Sequence, residues 1–592
     1  MLRRLLAAVA LTVTILSPAA HAQERDALST VGELSGYART GRFDEVQRLC
    51  AAFAKTWPKQ VKCVEFGRSP EGRPLLALVA SGDGTLTAAA ARAKTRPVVL
   101  MQGGIHAGEI DGKDAGFLAL REILQGKVLP GVLDKVTFVF VPVFNVDGHE
   151  RVSRANRANQ NGPEEVGWRV TSQNLNLNRD YVKAEAPEMQ AMLRILNEWD
   201  PILYADLHVT DGAQFEHGVS FNVAPTLVGD AGLRAAANGL LRTLMSALTE
   251  QGALPLDFYP SLIRDDDPTS GFAVNVGPPR FSQEYWGGRR RIGVLVETHS
   301  WKPYPARVKM TRQSILTMLE AAAANGPAWR EAAAAADQRA SRIGGSPVAL
   351  SWKPTGHTRT IDFRGYAYTR EASAVSGALM TRYDPATPKI WRVPLFDEIT
   401  PAVTVEAPRG GYVVPVAQAP LVAAKLALHG IESRVLSAAV PKAALQTFRA
   451  TKVTLGTATF EGRTSASLTG AWAAETRDVP AGSLFVPIAQ PNAWMVMTLL
   501  EPTGPDSLAA WGFFNVAFER REYMEEYVAE QWAREAMAKD ATLRQAFEKR
   551  LAEDPAFVRD PAARLDFFYR RHPAFDERLN LYPIYRSTAV LP

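Results

Sequence analysis

Three short stretches decide the reading of this chain: GGIHAGEIDG (103–112), ADLHVT (205–210) and VLVETHSW (294–301). Each follows a run of apolar residues with the length of a buried strand: Pro97–Met101, Ile202–Leu207 and Ile292–Val296. A continuous apolar run of that length, bounded by polar or turn residues, suits a strand covered on both faces. The polar residues therefore stand at strand ends. The carboxyl ends of strands are where open α/β sheets gather their chemistry. His106 and Glu109 lie in the first stretch, His208 in the second and Glu297 in the third. Two imidazoles and a carboxylate form one ligand set of a catalytic zinc site that keeps a position open for water. A lone His-x-x-Glu is weak; with a further His and a Glu at their own strand ends, the pattern becomes specific.

Outward from these stretches the same style continues. Val61–Phe66, Leu75–Ala80 and Val136–Val143 read as strands, while Phe43–Trp57 and Asp111–Leu124 have helical spacing. The expectation is an α/β unit over 23–340, with a mixed, mostly parallel sheet covered by helices on both faces. Ala-rich segments around Asn325-Gly326-Pro327 read as a closing helix before a linker at Gly344-Gly345. Short β-rich runs separated by turn residues suggest a β-rich domain over 346–480. A helical C-terminal region over 484–592 is expected to contain one long amphipathic helix, Glu519–Lys549.

The first 22 residues have a basic start, the apolar run Leu5–Leu16 and the small-x-small signal Ala20-His21-Ala22, as in a cleaved export signal. The reading is of an exported chain, periplasmic or extracellular, with no membrane span after cleavage. Without Arg3 and Arg4 the formal charge drops from +5 to +3 across the rest of the 592 residues. The densest cationic run is Arg289-Arg290-Arg291, so nucleic-acid binding has no support. The two cysteines, Cys50 and Cys63, either bridge in an oxidising compartment or remain buried thiols. With 46% hydrophobic residues the chain can bury a large core without staples, which excludes a disordered or disulfide-framework protein.

The chain resembles the zinc carboxypeptidase family over roughly 35–310. Beside the three stretches, FGRSPEGRPLLAL (66–78) looks like that family's opening strand pair. VPVFNVDGHE (141–150) looks like its Asn-x-Asp-Gly turn. GWRVTSQNLNLNRD (167–180) contains Trp168-Arg169 and Asn178-Arg179, similar to its electrophilic and substrate-gripping positions.

Carried over residue by residue, the resemblance implies one zinc ion per chain, held by His106, Glu109 and His208. Glu297 would be the general base for the attacking water. Arg169 would stabilise the oxyanion, with Arg154 and Arg157 as competing cations. Asn178 and Arg179 would grip a terminal carboxylate. Three departures stand out: Asn176 replaces an acidic partner of a ligand His, Val209 replaces a Ser, and the mobile substrate-binding Tyr is Tyr285 or, alternatively, Tyr259.

The implied activity is a zinc metallocarboxypeptidase acting on peptides with a free C-terminus. A murein-peptide amidase or deacylase on the same scaffold is the alternative, with murein peptides as partners. A non-catalytic binding protein with a relic domain is a third reading. His149, His217, His299, His357, His429 and His572 are expected to be structural.

Overall fold

The computed structural model describes residues 27–592, so the segment read as an export signal lies outside the described residues. By contact the chain forms two compact units. One comprises residues up to 407 with 423–432 and 488–499; the other comprises 408–422, 433–487 and 500–592.

Up to residue 299 the described part of the first unit has nine strands: β1 Val61–Arg68, β2 Pro74–Ala80, β3 Val98–Gly103, β4 Thr137–Val141, β5 Leu203–Thr210, β6 Val219–Ala224, β7 Pro255–Leu256, β8 Phe272–Ala273 and β9 Ile292–His299. All but β8 form one sheet in the order β1-β2-β4-β3-β5-β9-β6-β7. Its centre is parallel: β4, β3, β5 and β9 run together, flanked by antiparallel β2 and β6. This is the mixed, mostly parallel sheet expected.

Strand alternation shows that both faces are covered. On β5, Leu203, Ala205 and Leu207 join the apolar core that includes Phe117 of the helix Asp111–Leu124, and Ile315 and Met318 of the helix Tyr304–Ala340. Tyr204, between them, points the other way, against Tyr181 and Trp286 of the helix Ser282–Gly288. Cys50 and Cys63 are bridged, with Cα atoms 5.4 Å apart, tying the helix Phe43–Thr56 to β1.

Two expectations about the second half change. The β-rich stretch 346–480 is not one body. β10 Pro347–Pro354, β11 Arg359–Ala372, β12 Leu379–Phe396 and β13 Ile399–Glu406 belong to the first unit. β12 pairs in parallel with β8, and Phe363, Trp391 and Leu395 pack on Phe215, Phe258 and Phe272. The apolar residues of β11 and β12 thus complete the catalytic-side unit.

The strands after 407 form a separate six-stranded sheet in the second unit. These are β14 Gly411–Val414, β15 Arg434–Val435, β16 Val440–Leu455, β17 Ala466–Val479, β18 Leu484–Pro487 and β19 Tyr585–Ser587. The long helix expected at Glu519–Lys549 is two helices, Glu526–Lys539 and Ala541–Glu553. Asp540 breaks it: its backbone is extended (φ −123°, ψ 102°) and its side chain accepts from the Thr542 and Leu543 N–H groups, capping the second helix. Their apolar residues pack with Phe557, Phe567 and Phe568. Among the described residues no helix is long and apolar enough to cross a membrane.

Candidate metal centre

β3 ends at Gly103, and Gly104 takes a left-handed conformation (φ +64°) that turns the chain into the loop bearing His106 and Glu109. β5 and β9 are adjacent and parallel, in a register that places His208 directly beside Glu297. Sheet pairing therefore brings together two residues 89 positions apart in sequence.

The three predicted ligands converge. The donor atoms of His106, Glu109 and His208 all lie within 4.8 Å of one another, and all three residues are buried. His106 Nδ1 is 3.0 Å from Glu109 Oε1, and His208 Nδ1 is 3.0 Å from Glu109 Oε2. Tetrahedral zinc with bonds near 2.1 Å wants its donors roughly 3.4 Å apart, so small adjustments suffice. The donor set is also right chemically: borderline nitrogen and hard oxygen, with one position open. The residues present fit a zinc ion.

The other ring nitrogens are oriented from behind. His106 Nε2 is 3.1 Å from Asn176 Oδ1, which also accepts the Asn178 N–H at 3.0 Å. His208 Nε2 is 2.8 Å from Asp206 Oδ2, a buried carboxylate two residues earlier on β5. Such partners fix the tautomer and strengthen the ligand. The sequence reading missed Asp206, although strand period alone puts residues 206 and 208 on one face.

Glu109 has further partners. Its Oε2 accepts the Val209 N–H at 3.1 Å. Its Oε1 lies 3.1 Å from Arg157 and 3.3 Å from Arg169. Arg157 is buried against Gly108, where a Cβ would stand 2.7 Å from its Cγ; the Arg169 side chain is 37% exposed and lines the cleft. Arg154 is a solvated cation near Glu164.

The electrostatics follow from burial and crowding. Burial pushes His106 down to about 4. Burial alone would also lower His208, but the Asp206 and Glu297 carboxylates outweigh it and hold the ring well above its usual value. Burial would raise Glu109, yet His106 and Arg157 keep it well below the usual range. Glu297 is pushed up to about 8, first by burial and then by the Glu109 and Asp206 charges, against the opposing pull of His208. The crowding thus favours the ionised form of Glu109 and the neutral form of Glu297.

A cleft of about 640 Å³ opens on this group, lined by His106, Arg169, Asn178, Arg179, Tyr259 and Glu297 among others. Asn178 Oδ1 accepts the Ser282 N–H at 3.2 Å, and the Arg179 guanidinium lies 4.5 Å from the Phe281 ring centre.

Tyr285 is not in the cleft. It is fully buried on the helix 282–288, its hydroxyl 3.0 Å from His429 Nδ1 and 3.2 Å from Arg289. The expectation of a substrate-binding Tyr285 is corrected by that burial. Tyr259, the alternative, lines the cleft with its hydroxyl 3.3 Å from Thr210 Oγ1.

Asp147 knots two of the diagnostic stretches together. Its oxygens accept from Ser69 (2.7 Å) and Arg73 (2.6 Å) of the 66–78 turn and from Ser172 (2.9 Å) of the 167–180 segment. The remaining histidines stay apart. His149 binds the Gly41 carbonyl, His217 the Pro255 carbonyl, and His299 stacks on Phe215 at 3.9 Å. His106, Glu109 and His208 form the one metal-capable cluster found among the described residues.

Residues 46–226 match the profile of the zinc carboxypeptidase family, a segment that holds all three candidate ligands but stops short of Glu297. Solved structures resembling the chain include a metallo-carboxypeptidase from Burkholderia cenocepacia, at 16% identity over 46% of this chain and 68% of that one, with a TM-score of 0.34. Another is carboxypeptidase A from Helicoverpa armigera, at 16% identity over 50% of this chain and 75% of that one, with a TM-score of 0.34. A search of curated proteins finds no match.

Proposed function

We propose that the chain is a zinc metallopeptidase of the carboxypeptidase type, releasing C-terminal residues from peptides that end in a free carboxylate. The observation that carries this reading is the shared cleft: the ligand His106, the base Glu297 and the cationic Arg179 all line it. Proton transfer and carboxylate capture are thus within one substrate's reach.

His106, Glu109 and His208 would hold the metal. When bound, zinc supplies Lewis-acid polarisation and a charge that favours the ionised form of nearby Glu297. Glu297 then takes a proton from the attacking water and returns it to the departing amine. Arg169 is half-exposed beside the cluster and can turn from Glu109 toward the carbonyl oxygen as that oxygen gains charge. Arg179 and Asn178 fix the terminal carboxylate, so the scissile bond is the last one in the chain. Stacking on Phe281 holds the Arg179 fork flat and reduces the freedom it must lose on binding.

The Cys50–Cys63 bridge suits an oxidising compartment and supports the reading of an exported enzyme. The test compares a zinc-loaded preparation on a peptide and on its C-terminally amidated twin. A strong preference for the free acid is expected. Equal rates would overturn carboxypeptidase action and leave an amidase or endopeptidase.

A further inference from the structure

The two supports of Arg179 are fastened to a piece of chain that lies far from them in sequence. Residues 423–432 follow β14, yet they belong to the first unit. Lys425, in the last turn of the helix Ala419–Leu428, and His429, just beyond it, are both buried. Neither lines the cleft, and neither has a part in the proposed chemistry.

Their polar atoms are directed at the turn that follows Arg179. The Lys425 ammonium donates to the Lys183 carbonyl and, at 3.1 Å, to the Ala184 carbonyl. His429 Nε2 lies 2.9 Å from the Val182 carbonyl. A carbonyl only accepts, so Nε2 carries the proton, and Nδ1 accepts from the Tyr285 hydroxyl 3.0 Å away. Burial, and then the nearby Arg289 charge, push the ring down to about 3, so it stays neutral and keeps this tautomer. Two side chains thus hold three successive carbonyls.

That turn has to be held. Ala184 has φ +49°, in the left-handed region that residues other than glycine enter at a cost, and its N–H closes the turn on the Asp180 carbonyl at 2.7 Å. Such a conformation persists where its surroundings impose it. The Lys425 bond to the Ala184 carbonyl is one such constraint.

The second support is the ring beside the guanidinium. The Arg179 fork lies on Phe281, the residue that opens the helix 282–288. On that helix Tyr285 bonds to His429, and Arg289, just after it, donates to the His429 carbonyl at 2.9 Å. Asn197 donates to the Leu428 carbonyl at 2.8 Å and accepts from Arg289 at 3.0 Å. The backbone turn next to Arg179 and the helix whose first residue it stacks on are therefore anchored to the same short piece, 425–430.

We propose that residues 425–430 are a positioning clamp for the carboxylate grip: Lys425 and His429 fix where the Arg179 fork stands, and so set how strictly a free terminal carboxylate is required. The inference rests on the carboxypeptidase reading. It gives a segment well beyond the family-like region a task in substrate recognition. A guanidinium grips a carboxylate through two parallel bonds, and a small displacement forfeits one of them.

The experiment compares the wild type, Lys425→Met and Lys425→Arg, each zinc-loaded and with the full chain, on hippuryl-phenylalanine and its C-terminal amide. Met keeps most of the buried stem and removes the ammonium, whereas Arg retains a cation with several donors. For Lys425→Met the KM on the free acid should rise about tenfold, with kcat within about threefold and zinc content unchanged. The preference for acid over amide should fall by the same factor, because the amide has no carboxylate to misplace. Lys425→Arg should lie between Lys425→Met and the wild type.

A preference unchanged within about twofold, or equal losses on acid and amide, would overturn the proposal, since a lysine that only stabilises the fold gives those results. Should Lys425→Met fail to fold, His429→Phe fills the space of the ring and removes the donor to Val182. It should lower the preference by about fivefold, and no shift there would overturn the clamp. A wild type that cleaves acid and amide equally loses the carboxypeptidase reading, and calorimetry then decides the clamp separately. N-acetyl-phenylalanine should bind the wild type about tenfold more tightly than Lys425→Met. Equal or undetectable binding to the two proteins would overturn it.

Discussion

The two sides of the cleft are built by different rules. On one side, His208 and Glu297 stand on neighbouring strands, and His106 and Glu109 on the loop leaving a third. There the register of a parallel sheet sets the geometry, and a buried strand gives its side chains almost no freedom. On the other side, residues 257–288 supply Tyr259, Gly277, Phe281 and Glu284 from turns, short strands and one helix of seven residues. Nothing periodic determines which of those side chains faces in. On the proposed reading, the strand side carries the reaction and the irregular side meets the substrate.

The sharpest way to break this comparison is at Glu297. Glu297→Gln keeps the size and burial of the side chain and removes the base. A fall in kcat of about 10²- to 10⁴-fold is expected, with zinc content unchanged by mass spectrometry. Retention of more than about 1% of activity would remove Glu297 from its role. A second reading comes from the metal-free protein. A carboxyl whose folded value stands at about 8, above its ordinary 4.5, withdraws stability as pH rises between those values. The melting temperature of the chelator-treated wild type should therefore decline more between pH 5 and 8 than that of Glu297→Gln.

Arg179 sits where the two sides meet, and the next largest effect is expected there. Arg179→Met should lower kcat/KM for free-acid peptides by about 100-fold while leaving zinc affinity within about twofold. A variant that loses zinc instead would make Arg179 a structural support of the cluster.

Legibility in the sequence follows the same division. A ligand at a strand end announces itself, because an apolar run of fixed length stops at a polar residue; His208 after Ile202–Leu207 is an example. Asp206 was legible in principle, yet it lies inside the apolar run and reads as an interruption of it. The tyrosine was not legible. Tyr285 precedes Glu297 by only 12 positions, a short spacing, and Tyr259 by 38, yet it is packing that separates them: Tyr285 faces His429, more than 140 residues away in sequence, while Tyr259 faces the cleft. The division at 407 was equally hidden. β11 and β12 have the composition of any β domain, and only Phe363 and Trp391 meeting Phe215 and Phe272 assign them to the first unit.

The tyrosines give a smaller but discriminating measurement. Tyr259→Phe removes a hydroxyl facing the cleft and should lower kcat/KM by about tenfold or less. Tyr285→Phe leaves kcat/KM within about twofold, because its hydroxyl serves His429 and Arg289 inside the protein. It should instead cost about 1 kcal/mol of stability, read by denaturant unfolding, for the lost buried hydrogen bond. The reverse pattern would restore Tyr285 to the substrate.

The smallest effect is expected behind the metal, at Asn176. Its amide oxygen accepts from both the His106 ring (3.1 Å) and the Asn178 N–H (3.0 Å). Asn176→Asp keeps both acceptor interactions and adds a negative charge next to the imidazole, which makes His106 the more basic ligand. Two terms oppose each other: stronger donation to the metal, and the cost of a further carboxylate at a position only 7% exposed. The first should prevail while zinc is bound, since the ion's charge is close and poorly screened there. The second should prevail in the metal-free protein. Zinc affinity measured against a competing chelator should therefore rise by up to about tenfold, within the range typical of partners to ligand histidines, while the metal-free form melts lower. An affinity unchanged within about twofold would mean that the neutral amide already orients His106 as well as a carboxylate could, and that the charge behind His208, supplied by Asp206, suffices for the pair.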